Sequence, residues 1–229
     1  MSNSIKVIIP AFNERNAVGN VINEIPKDIV DEIIVVDNGS TDDTCEVAKK
    51  CGAVVLREDI RGYGRACLKG MAYIAEQSHQ PDIIVFLDGD YSDYPEEITE
   101  LVAPIISNSV DMVIGSRSLG IREKGSMTIQ QIFGNWLATT LMRFFYKANY
   151  SDLGPFRAIR YDSLVAINMQ DKTYGWTIEM QIKAAKMGLR SKEVPVNYRK
   201  RIGVSKISGT LSGTLAAGYK IIHTIIKYR

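Results

Sequence analysis

The sequence predicts an α/β fold in which a doubly wound, mostly parallel sheet is flanked by helices. Five short apolar runs alternate with segments of helical spacing over residues 1–120, which is the pattern of repeated βαβ units. Four of these five runs end in polar or charged residues. Because open α/β sheets bind ligands beyond the carboxyl ends of their strands, the same pattern predicts a binding site at that edge.

The composition favours one domain, residues 1–229, with an ordinary core. The apolar fraction is 45% and the charged fraction 24%, typical of a soluble globular protein. A net charge of +2 provides no electrostatic reason to expect a nucleic-acid partner. Cys45, Cys51 and Cys67 have no metal-site or disulfide spacing, and the only histidines are His79 and His223. With no signal peptide and no apolar run of about 18 residues, we expect a cytoplasmic protein.

The first half supplies the alternating elements. Helical spacing is predicted at 18–25, after residue 44, at 68–75 and at 96–106. The predicted strands lie between these helices, at residues 5–9, 32–36, 53–56, 83–87 and 111–115. The fourth strand is apolar throughout, which is typical of a strand buried on both faces of a parallel sheet.

An acidic pair follows that fourth strand. Asp88 and Asp90 flank Gly89, so two hard oxygen donors lie one residue apart where a ligand is expected. Such a pair suits Mg²⁺ or Mn²⁺ with open positions for phosphate oxygens, and the glycine allows a close approach of the backbone. The alternative is that both acids solvate a loop and help to cap the next helix, because so short a motif also occurs by chance.

The second half has a different pattern. An exposed loop and then a long apolar helix are predicted over 125–150, a turn and short strand at 152–157, and a helix at 178–187 with Glu179 near its start. A strand broken by Pro195 is predicted at 192–198. It leads into a basic, glycine-containing loop at 199–206 and an amphipathic helix from residue 211.

Six motifs in this order resemble the inverting family 2 glycosyltransferases with a GT-A fold. The motifs lie at 10–14, 36–44, 88–90, 115–117, 154–157 and 201–206. The branch that the sequence resembles is that of the dolichol-phosphate mannosyltransferases and polyprenyl-phosphate glucosyltransferases. The resemblance implies a nucleotide-sugar-binding half at 1–120, an acceptor-side half at 121–210 and a C-terminal amphipathic helix at 211–229.

The resemblance also implies roles for individual residues. The nucleotide-sugar donor would contact Pro10, Ala11, Phe12, Glu14, Val36, Asp37, Asn38, Asp88, Gly89, Asp90 and Arg117. The divalent metal would lie on Asp88 and Asp90. The acceptor phosphate would contact Arg157, Arg201 and Lys206. The catalytic set would be Asp90, Arg117, Glu179, Arg201 and Lys206, in which fixed cations stabilise the charge of the leaving diphosphate.

The acceptor is where the sequence leaves two alternatives. A polyprenyl phosphate is favoured by the basic loop and by the C-terminal helix, whose apolar and basic faces suit peripheral contact with the inner face of a membrane. However, segment 125–132 lacks the basic residues that relatives have there. Transfer to a hydroxyl would need a base, and Glu179 is the candidate. In addition, Asn38 occupies a position that is acidic in the family.

Other interpretations remain for the whole chain and for single motifs. An inactive nucleotide-sugar-binding or scaffold protein is one, although it would need neither the acid pair nor the basic loop. A Rossmann-type dinucleotide binder is disfavoured because residues 10–14 replace the expected glycine-rich turn. Glu14 could cap a helix, the glycine-bearing segment 61–65 could be a plain turn, and Trp136 could belong to the core.

Overall fold

The computed structural model describes residues 3–203 and 211–229. Within these residues, seven strands form one sheet in the order β3-β2-β1-β4-β6-β5-β7. All neighbouring pairs are parallel except those of β6, which runs antiparallel to β4 and β5. The strands are β1 (Ile5–Ala11), β2 (Glu32–Asp37), β3 (Val54–Arg57), β4 (Ile83–Phe86), β5 (Met112–Ser116), β6 (Arg157–Arg160) and β7 (Ser191–Pro195).

Helices cover both faces of this sheet. One core cluster joins the sheet to α1, α2 and α4, and the other joins it to α3, α5, α6, α7 and α8. Neighbouring residues of β1 alternate between the two clusters, since Ile9 packs into the first and Ile8 into the second. The helices are α1 (Val18–Glu24), α2 (Thr44–Lys50), α3 (Tyr63–Ala75), α4 (Ile98–Ile106), α5 (Ile129–Tyr146), α6 (Tyr161–Ile167), α7 (Trp176–Lys186) and α8 (Leu211–Lys227). The predicted doubly wound, mostly parallel fold is confirmed.

The predicted elements are present, with shifted ends. Helix α3 begins at Tyr63, inside the segment interpreted as a turn. Helix α5 begins after Thr128, whose side chain and that of Gln131 form a reciprocal capping box. Helix α6 was not predicted, because only Leu164 and Ile167 of its seven residues are buried and the periodicity is correspondingly weak.

The sheet includes strands from both sides of residue 120, since β6 and β7 pair with β4 and β5. The predicted division of the chain at 120 and 210 stays a prediction. Among the described residues, none of the helices has the length and apolar composition that a bilayer-spanning segment requires.

Candidate active site

A cavity of about 330 Å³, called here the first cavity, opens where β1, β2 and β4 end. Parallel strands place their carboxyl ends at one edge of the sheet, so the loops after these strands meet there. The volume lies within the range of small-ligand sites. The lining residues are Pro10, Ala11, Phe12, Glu14, Asn38, Arg61, Gly62, Tyr63, Ala66, Asp88, Gly89, Asp90, Tyr174 and Arg201.

The acidic pair lies at the floor of this cavity. Asp90 Oδ1 accepts hydrogen bonds from the backbone nitrogen of Ser92 at 2.9 Å and from its hydroxyl at 2.5 Å. Asp88 Oδ1 is buried and has no hydrogen-bond partner among the described residues. Burial and then the neighbouring charge of Asp90 raise the pKa of Asp88 to about 7. The nearby charges of Arg201 and Arg117 act in the opposite direction but do not offset these two effects.

Arg201 provides positive charge beside the acidic pair. Its Nη2 lies 2.9 Å from Asp90 Oδ2 and 3.3 Å from Glu14 Oε1. The backbone nitrogen of Ile202 also donates to the carbonyl oxygen of Asp90 at 3.0 Å. The start of the basic loop is thus bound to the acidic pair, a contact that the sequence did not predict. Lys206, the other cation predicted in this loop, lies outside the described residues.

The outer part of the first cavity is built on Phe12 and Asn38. The guanidinium carbon of Arg61 lies 3.3 Å from the centre of the Phe12 ring, a stacked cation–π geometry. The Asn38 amide donates to the carbonyl oxygens of Glu58 and Ile60 and accepts from the backbone nitrogen of Gly62. A carboxylate could not make these donations, so the replacement of an acid by Asn38 fits this loop.

Two residues that were predicted to contact the nucleotide-sugar donor do not line the first cavity. Val36 is fully buried in the core cluster beside α3. Asp37 is also fully buried, and its carboxylate accepts from the backbone nitrogen of Ser40 at 3.1 Å. Both side chains shape the strand end and the following turn, and neither lines the cavity.

Segment 61–65, which the sequence analysis left outside the site, contributes to the cavity wall. The backbone nitrogens of Gly64 and Arg65 donate to the carbonyl oxygens of Thr173 and Lys172. A Cβ atom at Gly64 would lie 2.0 Å from the carbonyl oxygen of Asp171. Gly64 is thus required by the close approach of two backbones. Segment 171–173 accepts the hydrogen bonds of the backbone nitrogens at the start of α3. In the sequence, the two glycines of segment 61–65 were the feature that indicated this close backbone contact.

A second cavity of about 290 Å³ adjoins the first. The two share Tyr63, Asp88, Asp90, Tyr174 and Arg201 in their linings. The rest of the second cavity is formed by α5, α8, the start of α7 and loop residues, and Arg117 is the charged residue among them. The lining residues that the second cavity does not share with the first are Arg117, Met127, Gln130, Gln131, Gly134, Asn135, Leu153, Pro155, Thr177, Tyr198, Gly218 and Ile221.

Arg117 reaches this second cavity as one half of a buried ion pair. Its Nε and Nη2 atoms lie 2.8 Å and 2.6 Å from the two carboxylate oxygens of Asp152. Burial alone would raise the pKa of Asp152, but the paired guanidinium holds it below its usual value. The bidentate contact fixes the direction of the Arg117 side chain.

Asp93 is a buried carboxylate that the sequence analysis did not single out. Only 1% of the residue is exposed, and neither carboxylate oxygen has a hydrogen-bond partner among the described residues. Burial and the charge of Asp88 raise the pKa of Asp93 well above its usual value. No spacing in the sequence distinguishes it from a surface loop acid.

Arg157 is one of two predicted site residues that line neither cavity. The buried guanidinium of Arg157 donates to the carbonyl oxygens of Leu153, Gly154 and Thr177, and burial lowers its pKa to about 10. It stabilises the turn before β6 and lines neither cavity.

Glu179 is buried beneath the site. Its carboxylate accepts from the backbone nitrogens of Gln170 and Asp171 and from the Tyr228 hydroxyl. Its Oε1 also lies 2.7 Å from Lys183 Nζ. These contacts anchor segment 170–171 and the end of α8, and Glu179 lines neither cavity.

The fold is that of a GT-A glycosyltransferase. The model of the family described as "Glycosyl transferase family 2" matches residues 6–175. The chain therefore belongs to glycosyl transferase family 2.

Relatives that match nearly the whole chain are named as sugar transferases. A dolichyl-phosphate hexose transferase of Haloferax volcanii is 32% identical, over 98% of this chain and 95% of its own. An undecaprenyl-phosphate mannosyltransferase of Micrococcus luteus is 29% identical, over 91% of this chain and 89% of its own. Among solved structures, glucosyl-3-phosphoglycerate synthase of Mycobacterium tuberculosis with Mn²⁺ and UDP-glucose has a TM-score of 0.76 and 25% identity, covering 99% of this chain and 79% of that one.

Proposed function

We propose that this glycosyltransferase moves a hexose from a nucleotide-diphospho-sugar, of the GDP-mannose or UDP-glucose type, to a polyprenyl phosphate, with inversion at the anomeric carbon. The observation that carries the proposal is the pair of adjoining cavities with a shared floor at Asp88, Asp90 and Arg201. Direct displacement requires donor and acceptor on opposite sides of the reacting carbon, which two joined cavities provide.

The first cavity suits the donor. Phe12 and Arg61 offer a stacked surface for a base, and Asn38 and Glu14 stand at the ends of β2 and β1. The hexose would lie at the junction of the cavities, against Tyr63 and Tyr174, which line both. Arg201, which lines both cavities, would face the diphosphate, where negative charge develops as the glycosidic bond breaks.

A divalent ion, Mg²⁺ or Mn²⁺, fits the acidic pair. The buried oxygen of Asp88 lacks a partner among the described residues, and burial together with the charge of Asp90 raises the pKa of Asp88. No cluster of three or more His, Cys, Asp or Glu side chains suited to a metal occurs in the described part of the chain. A site with two carboxylates leaves positions for donor phosphate oxygens. When bound, the ion stabilises the charge of the leaving diphosphate.

The second cavity suits an acceptor that is anionic at one end and apolar along its length. Arg117 and Arg201 are the cations that line it in the described residues, and Met127, Leu153, Pro155 and Ile221 give it apolar walls. An ionised phosphate attacks without a base. Both named relatives carry polyprenyl-phosphate names, which supports the same acceptor class, with peripheral contact at a membrane.

Transfer to a hydroxyl with Glu179 as base has less support. The Glu179 carboxylate is fully buried and is already held by two backbone nitrogens, the Tyr228 hydroxyl and Lys183. A general base must come within about 3.2 Å of the proton that it removes, directly or through one water. Glu179 lines neither cavity where an acceptor hydroxyl would lie.

The test is a transfer assay with labelled GDP-mannose and UDP-glucose, Mn²⁺, and a short water-soluble polyprenyl phosphate. We expect an inverted glycosyl-phosphate product from one donor. Asp90→Asn, or chelation of the metal, should reduce transfer by at least 10²-fold because leaving-group stabilisation is lost.

Asp28→Asn is the matched control, since Asp28 is an exposed residue of the loop between α1 and β2. Full activity of Asp90→Asn in chelator would remove the metal from the proposal. Transfer to a hydroxyl compound, but to no polyprenyl phosphate, would contradict the proposed acceptor.

A further inference from the structure

Helix α5 exposes a stripe of large apolar side chains. Ile129, Phe133, Trp136 and Phe144 are between 57% and 83% exposed. They follow the spacing of three to four residues, or a multiple of it, that places side chains on one face of a helix. The opposite face contains Ala138 and Met142, which are buried in the core. The side chains of the stripe therefore do not contribute to the core, which α5 contacts with its opposite face.

Helix α8 packs beside α5 and exposes apolar side chains of its own. Tyr219, Ile222 and Ile226 are 71%, 38% and 62% exposed and also recur at spacings of three and four residues. Their chain neighbours Gly218 and Ile221 line the second cavity. Both helices therefore line the second cavity with some residues and expose apolar side chains with others. We call these residues of α5 and α8 the apolar rim.

The charges of the two helices have one sign. Neither α5 nor α8 contains an Asp or Glu residue within its bounds. Arg143, Lys147, Lys227 and Arg229 lie on these helices or directly after them, and all four are exposed. None of the four forms an ion pair with a carboxylate of the residues that the structure describes.

We propose that the apolar rim docks on an anionic lipid bilayer and thereby brings the second cavity, which the same two helices line, close to it. The inference rests on the proposed polyprenyl-phosphate acceptor, whose phosphate lies at the surface of the membrane that holds its chain. Large apolar side chains enter the interface and cations attract anionic headgroups, the combination that binds a helix flat on a bilayer. Because α5 and α8 also line the second cavity, docking through the rim would bring the lipid phosphate close to that cavity.

The structure provides a reporter for this docking. Trp136 belongs to the rim and is 58% exposed, whereas Trp176 is 1% exposed. With phosphatidylglycerol-containing vesicles we expect a blue shift of the Trp136 emission, protection from iodide quenching and co-sedimentation of the protein. Phosphatidylcholine vesicles should bind it at least tenfold more weakly, and Lys147→Gln with Lys227→Gln should weaken anionic binding by roughly 25-fold, at about fivefold per cation.

The matched comparison uses two double variants. Phe133→Ser with Phe144→Ser removes exposed apolar side chains from the rim, and Ile106→Ser with Val165→Ser removes them from α4 and α6. All four residues are at least 46% exposed, so we expect both proteins to fold. The first variant should lose vesicle binding by at least tenfold, and the second should bind as the wild type does.

Both variants should also transfer sugar to the short water-soluble polyprenyl phosphate at the wild-type rate. Transfer to that acceptor without vesicle binding would overturn the docking surface and leave the proposed function. Vesicle binding that depends on the rim, without transfer to any polyprenyl phosphate, would support the surface and contradict the proposed function. A stable dimer that shields Trp136 and does not bind vesicles would assign the rim to a second copy of the chain and overturn the proposal.

Discussion

Asp88→Asn should stabilise the metal-free protein, although Asp88 lies at the centre of the candidate site. Burial and the charge of Asp90 raise the pKa of Asp88 from 3.8 to about 7 in the folded state. That difference corresponds to roughly 4 kcal/mol at 1.36 kcal/mol per pKa unit, which the ionised carboxylate costs the folded protein. Asparagine has nearly the same shape and no charge to lose, so the variant avoids this cost.

The pH dependence follows from the sign of the change. A carboxyl whose pKa is raised on folding binds its proton more tightly in the folded state, so stability falls as pH rises from about 4 to about 7. The cost of Asp88 is then roughly 1–2 kcal/mol at pH 5 and about 4 kcal/mol at pH 8. The gain of Asp88→Asn over the wild type should therefore grow by about 2–3 kcal/mol between these pH values, or about 5–10 °C in Tm.

The assay is urea unfolding of both proteins in chelator at pH 5 and pH 8, with Asp28→Asn as an exposed control. Mn²⁺ at pH 8 should then stabilise the wild type and have little effect on Asp88→Asn, because only the wild type retains both carboxylates. If Asp88→Asn is no more stable than the wild type at pH 8 in chelator, the electrostatic account of the acidic pair is wrong.

Two further outcomes test the surroundings of the site. Glu179→Gln should change the transfer rate less than tenfold and lower the free energy of unfolding by about 1–3 kcal/mol, because a buried anchor loses its charge; a fall of 10²–10⁴ in rate at unchanged stability would restore its role as a base. Proteolysis at residues 202–203 should slow when nucleotide sugar and Mn²⁺ are added, because we expect the basic loop to close over the diphosphate. Equal cleavage rates with and without these ligands would contradict closure.

The fold could be predicted because each strand is locally distinct. The run of β4 is buried at every residue, so its apolar pattern reflects a position between two helical layers. The same uniformity conceals direction, since a strand buried on both faces has the same pattern whether parallel or antiparallel. The antiparallel insertion of β6 between β4 and β5 is set by pairings with residues far away in the chain.

The site was predictable where topology alone brings residues together. Phe12, Asn38 and Asp88 each follow a strand of the same parallel set, so their meeting at one edge required no knowledge of the loops. Tyr63 and Tyr174 were missed because they meet through the contact of α3 with segment 171–173, which is more than a hundred residues away. Arg157 and Glu179 were assigned to the site by resemblance, but the sequence does not show which way a charged side chain points. Here both are held by backbone groups.

The acidic pair and the basic loop, 111 residues apart, behave as one electrostatic unit. Asp90 is bound to this loop twice, through its carboxylate to Arg201 and through its carbonyl oxygen to the backbone nitrogen of Ile202. Asp90 would be shared between Arg201 and a divalent ion if one were bound, because both cations are attracted by the same carboxylate. An incoming diphosphate offers Arg201 new anionic partners. Loading of metal and donor would thereby move Arg201 from the acidic pair to the leaving group, where its charge is needed.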